Sequence, residues 1–160
     1  MRTTSTPLLA LIVATLLAGV ATLALGARAD DDAARRVPLL PAYVQECGAC
    51  HVAYAPRLLP ASSWQRLMGQ LKSHFGSDAS LDAATTQQLT AWLTAHAGSG
   101  QRAEATRDGR ITSSDWFVRE HRKVSHLFGT AKVKTAADCA ACHTQAAAGS
   151  YGEREIRLPR

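Results

Sequence analysis

Trp64, Leu67, Met68, Leu71 and Phe75 recur at intervals of three and four residues, the repeat that lays side chains along one face of an α-helix. The segment "SSWQRLMGQLKSHFG", residues 62–76, thus predicts a helix that opens on a serine cap and stops at Gly76. A second, "SLDAATTQQLTAWLTAHAG" at 80–98, is capped by Ser80, ended by Gly98, and sets Leu89, Trp92, Leu93 and His96 on one face. In "TSSDWFVREHRKV", Thr112 and Asp115 form a T-x-x-D capping pattern, and Phe117, His121, Val124 and Phe128 follow at 4-3-4 spacing. "TAADCAACHTQAAAG", 135–149, predicts a last helix between a Thr135 cap and Gly149. Residues 98–109 lack apolar periodicity and read as a linker, and the tail "SYGEREIRLPR" reads as an extended strap. No segment alternates convincingly as a strand does, so the expected class is all-α, with short helices and long loops.

The amino terminus has a different pattern. After Arg2, residues 7–27 are uncharged and rich in Leu, Ala, Val and Thr, closing on Ala27-Arg28-Ala29 before three aspartates. That order, a basic start, an apolar centre and a small-x-small site, is a secretory signal peptide cleaved after Ala29. The rival is an uncleaved anchor, since residues 8–25 approach the length that spans a bilayer. Gly19 and the threonines weaken that rival, and the cleavage site argues against it. The expected domains are a signal peptide at 1–29 and one mature domain at 30–160. The mature domain divides into a region at 42–98, a linker at 98–111 and a second region at 112–160.

Without Arg2 and Arg28 the chain keeps 16 basic against 13 acidic side chains, a charge of +3. Residues 100–160 hold eleven of those basic groups and seven of the acidic ones. Such a half could dock an acidic partner, but no basic stripe interleaved with aromatics points to nucleic acid. An ordinary solvated face explains the imbalance equally well.

Cysteine placement decides far more. All four cysteines fall in two motifs, Cys47-Gly-Ala-Cys50-His51 and Cys139-Ala-Ala-Cys142-His143. A zinc ribbon wants its pairs some fifteen to twenty residues apart, and a thioredoxin-like site wants one pair beside a βαβ pattern. Neither fits. C-x-x-C-H is the attachment signature of a c-type haem. Thiols at i and i+3 project from one side of a turn and reach both vinyl groups of a porphyrin, and the next histidine lies under the ring as an axial ligand. Two covalently bound haem c groups, and their iron, are therefore expected, and export suits that chemistry.

With His51 and His143 as proximal ligands, His74, His96, His121 and His126 compete for the other faces, with Met68 the only methionine of the mature chain. Met68 sits mid-stripe and reads as a core residue. His74, at the stripe's edge, has a modest advantage over His96, which a helix end could occupy with its free carbonyls. His121 shares the apolar face of its helix, whereas His126 points with Arg119 and Arg122 toward water. At most one haem could be ligated by His and Met, and two bis-histidine haems are compositionally possible.

From "ECGACHVAYAPRLLPASSW" through "HFG" and "DWFVREH" to "ADCAACH" and "GSYGEREIRLP", the chain resembles the bacterial dihaem cytochromes c, small exported proteins with two bis-histidine haems. The attachment motifs are shared by all c-type cytochromes, while W-F-x-x-x-H and "HFG" are more particular. Carried over by position, the resemblance places the distal ligands on His74 and His121. It implies a periplasmic electron carrier, not an enzyme, with short helices wrapped around its haems. It also implies redox partners: a small oxygen-binding c-type cytochrome and a membrane cytochrome. Bis-histidine ligation implies low potentials, because a thioether ligand favours Fe(II). The competing function is a dihaem peroxidase or other ligand-binding haem enzyme, which needs one open iron and distal acid–base groups that so short a chain hardly accommodates.

Overall fold

A computed structural model describes residues 37–160. The signal segment, its cleavage site and the anchor alternative lie outside the described residues. Among the described residues there are four α-helices, joined by 3₁₀ turns and irregular chain, and only isolated bridges in place of strands. No helix among them is long and apolar enough to cross a membrane.

Helix α1, Pro41–Cys47, starts on a proline, whose fixed φ and missing N–H suit a first turn. It buries Tyr43 and delivers Cys47 at its last position. Helix α2, Ala61–Met68, and helix α3, Ala83–Ala95, pack on each other through Trp64, Met68, Leu89 and Leu93. Tyr43 closes this core with its ring edge-on to Trp64 at 6.5 Å and tilted against Trp92 at 5.3 Å. The Trp64 indole N–H donates to the Pro56 carbonyl at 2.7 Å, so the buried ring leaves no polar atom unpaired. Met68 is 6% exposed and belongs to this core, as its place mid-stripe predicts. Gly98 follows α3 where a Cβ would collide with the Arg57 carbonyl, and its N–H donates to Leu59 at 2.9 Å.

The first predicted helix is shorter than its pattern. It ends at Met68, and Gln70 leaves helical geometry before a 3₁₀ turn at Leu71–Ser73. Phe75 and Gly76 then take positive φ values of 51° and 97°, turning the chain sharply just after His74. Leu71 still packs on the core, but Phe75 is 42% exposed beneath the Arg110 guanidinium, 4.1 Å from its ring centre. The caps also move by two residues. Asp82, rather than Ser80, accepts the Thr85 N–H at 2.9 Å. Ser114, rather than Thr112, accepts the Phe117 N–H at 3.1 Å to start helix α4, Asp115–His121.

Residues 135–149 form no α-helix. They fold as turns with 3₁₀ pieces at Cys139–Ala141 and Ala146–Ala148. The tail takes the backbone partners that a helix would have used. The Thr144 N–H donates to the Glu155 carbonyl at 3.2 Å, and the Arg157 N–H to the Cys142 carbonyl at 2.8 Å. Residues 98–111 pack closely: Ala103 and Thr106 are buried, and Arg66 donates to the Thr106 carbonyl at 3.0 Å.

Candidate haem-binding sites

Each C-x-x-C-H motif folds as a compact turn. The first continues from the end of α1, and in the second the His143 N–H donates to the Cys139 carbonyl at 2.8 Å, a single α-type turn. No disulfide joins any of the four cysteines. Burial pushes the thiols of Cys47 and Cys139 up to about 11, with Glu46 and Asp138 respectively adding to the effect. That is the reverse of the depressed pKa that an oxidoreductase dithiol needs.

The structure brings the histidines together in two pairs. His51 and His74 have ring centroids 6.2 Å apart, and His121 and His143 have theirs 6.1 Å apart. With metal–imidazole bonds of about 2.0–2.1 Å, two rings on opposite sides of one metal ion have centroids about 6.2–6.5 Å apart. The first separation meets that spacing and the second falls about 0.1 Å short of it, so each pair could hold one metal ion between its rings. His51 Nδ1 lies 2.8 Å from the Val52 carbonyl and His121 Nδ1 lies 2.9 Å from the Phe117 carbonyl. A carbonyl only accepts, so each Nδ1 carries the proton and Nε2 keeps the lone pair for a metal. The Nδ1 atoms of His74 and His143 are buried without a protein partner. Burial lowers the pKa of His74, with help from the charges of His51 and Arg110. Burial likewise lowers that of His143, with help from His121 and against the pull of Glu155. Both shifts favour the neutral imidazole, the form that ligates metals.

His96 caps α3 with its Nδ1 2.8 Å from the Trp92 carbonyl and its ring 5.0 Å from Trp92. His126 is exposed. Local structure explains the chosen positions. His121 ends α4 and stacks on Phe117, one turn earlier, at 3.9 Å. His74 is presented by the positive-φ turn at Phe75 and Gly76, beside a cavity of about 360 Å³ lined by Leu67, Phe75, Arg66 and Arg107.

Some neighbours could not be found by spacing. Tyr54 stacks on His51 at 4.7 Å, and its hydroxyl donates to the Ala137 carbonyl at 3.0 Å, 83 residues away. Tyr151 sits edge-on to His143 at 5.5 Å. Arg57 donates to the Gly149 carbonyl at 2.9 Å, tying the first half to the turn before Tyr151. No periodicity announces any of these contacts, because each joins segments outside the α-helices.

Two histidine pairs, one member of each closing a C-x-x-C-H motif, in a helical fold without strands among the described residues, point to the class: a c-type cytochrome with two haems. The chain belongs to the dihaem cytochrome c family, whose model matches residues 43–151, and it carries two covalently bound haem c groups. A diheme cytochrome type c from Shewanella baltica OS155 is similar at 33% identity and a TM-score of 0.66, over 77% of this chain and 95% of that one. Two structures of the diheme cytochrome c of Rhodobacter sphaeroides are similar at 39% identity over 72% of this chain, with TM-scores of 0.62 and 0.63, and are covered over 99% and 100% of their length. No curated protein matches the chain.

Proposed function

We propose that this protein is a periplasmic electron carrier whose two haems are each closed by two histidines. Cys47 and Cys50 hold the first haem and Cys139 and Cys142 the second, as thioethers. His51 with His74, and His143 with His121, would hold the two irons. The observation that supports this reading is the pair of ring separations, 6.2 and 6.1 Å, each close to the spacing that one metal ion would need. When bound, each haem supplies a one-electron Fe(III)/Fe(II) couple.

The chain's own residues keep that couple simple. Val52 and Phe117 fix the tautomers of His51 and His121 through their carbonyls. Phe117 and Tyr54 stack on those rings and limit their rotation. Four imidazoles leave no coordination position for a substrate, so electrons pass while oxygen and peroxide chemistry is excluded. Arg66 and Arg107 offer positive charge beside His74 for a haem's carboxylates. Export follows from the signal pattern at 1–29, and the chemistry of attachment outside the cytoplasm agrees with it.

For partners we propose a small oxygen-binding c-type cytochrome as acceptor and a membrane cytochrome as donor. Around His121, exposed Arg119, Arg122, Lys123, Lys132 and Lys134 face a single acidic side chain, Glu120, between positions 119 and 134. A partner with an acidic face is therefore favoured at this site, with an on-rate that falls as salt rises.

The test is an absorption spectrum of the holoprotein, oxidised and reduced, with and without carbon monoxide. Two low-spin irons, unchanged by the gas and lacking a methionine–iron charge-transfer band, are expected. A high-spin component or a spectral shift with the gas would mean an open iron and would move the peroxidase or gas-binding reading to the front.

A further inference from the structure

Tyr54 reaches from the first haem site to the second. Tyr54 lies nearly parallel to His51, with a 16° interplanar angle and 4.7 Å between centroids. Its hydroxyl donates to the Ala137 carbonyl at 3.0 Å. The same carbonyl accepts the Cys139 N–H at 2.9 Å. One stacked ring pair and two hydrogen bonds on one oxygen thus connect the imidazole of the first site to the cysteine backbone of the second. From there the connection to the Cys139 sulfur is covalent.

We propose that Tyr54 is the bridge that couples the two haem sites electronically, through its ring to His51 and through its hydroxyl to Ala137 and Cys139. The proposal rests on the four-histidine electron-transfer reading above. In each exchange one iron goes from Fe(II) to Fe(III) and the other from Fe(III) to Fe(II). Tyr54 itself is neither oxidised nor deprotonated. Its surroundings suit a passive bridge: the hydroxyl is held as a donor on the Ala137 carbonyl at 3.0 Å. The Tyr43 hydroxyl donates to the Tyr54 carbonyl at 2.8 Å and fixes the backbone from which the ring projects.

A merely structural tyrosine makes a different prediction. It would change stability when altered, but not the rate at which the two sites share an electron. The experiment uses the holoprotein with Tyr54→Phe and Tyr54→Leu. The readout is inter-haem electron exchange, from broadening of haem-methyl resonances in half-reduced samples extrapolated to low protein concentration. Tyr54→Phe keeps the stacked ring and loses the hydroxyl link, so exchange should slow several-fold. Tyr54→Leu loses both, so exchange should slow further, with both irons still low-spin. Exchange at the wild-type rate in Tyr54→Phe overturns the proposal. If the leucine variant fails to load haem, the phenylalanine variant, which lacks only one oxygen atom, decides alone. Carbon monoxide binding by the wild type would overturn the four-histidine reading and this proposal with it, whereas unaltered exchange in low-spin variants would overturn the bridge alone.

Discussion

Replacing His121 by alanine is expected to turn one of the two irons into a carbon monoxide-binding, high-spin centre. His121 stands at the end of α4, with its ring clamped by Phe117 at 3.9 Å and flanked by Phe128 at 6.3 Å. Removing the imidazole leaves an apolar gap opposite His143 that those two rings cannot fill with a nitrogen. His126, the next histidine along, is exposed in the 3₁₀ turn Ser125–Leu127. To replace His121 it would have to unwind that turn, and the Leu127 and Phe128 backbone bonds within it, each worth about 0.5–1.5 kcal/mol net, oppose the change. The gas should therefore bind at one haem per chain, and added imidazole should restore the low-spin spectrum. His126→Ala should leave the spectrum alone. The reverse result, in which His126→Ala opens the iron and His121→Ala does not, would show that the ligand had been misassigned.

The second large effect concerns folding. A chain with Cys47, Cys50, Cys139 and Cys142 all replaced by alanine should lose its cooperative thermal melt and much of its helical circular dichroism. Three of the four helices have eight residues or fewer, below the about 12–15 at which isolated helices become even marginally stable. Among the described residues the apolar core cluster gathers around α2 and α3, with Tyr43, Ala53 and Leu59 completing it. From residue 112 onward the buried apolar side chains are Phe117, Val133 and Ala146, too few to order some fifty residues against the entropy they lose, roughly 1–2 kcal/mol each for the backbone alone. Covalently held macrocycles supply the missing apolar volume, as disulfides or metals do in other small domains. A native-like melt from the haem-free variant would refute this account.

How much of this was legible in the sequence follows from the physics of each segment. The C-x-x-C-H motifs could be read because covalent attachment fixes the order and spacing of three residues. Trp64, Met68, Leu89 and Leu93 could be read because two regular helices press a 3.6-residue repeat against each other. Residues 135–149 misled because alanine favours a helix only weakly, by tenths of a kcal/mol per residue, and no apolar stripe supported one. Tail bonds from Thr144 and Arg157 then drew the backbone into turns. The caps were misplaced by two residues because Ser80 and Asp82, or Thr112 and Ser114, are nearly equivalent chemically, and tertiary packing chose between them. Phe75 fell off its predicted stripe because a positive-φ turn, which no spacing rule announces, ended the helix early. Tyr54, Arg57 and Tyr151 were invisible because their contacts join segments outside the α-helices.

The long reach of Tyr54 also bears on the order of events during folding. Its bond to Ala137 closes a loop of 83 residues, and the bond from Arg57 to Gly149 one of 92. The α2–α3 connection is only Gly69 to Asp82. Closing the longer loops costs roughly 1.5 kcal/mol more in chain entropy, and contacts so distant in sequence form late. In a refolding holoprotein, helical signal from α2 and α3 should thus return before Tyr54 is shielded from solvent. The two attachment segments are the last to find each other, although they carry the chemistry.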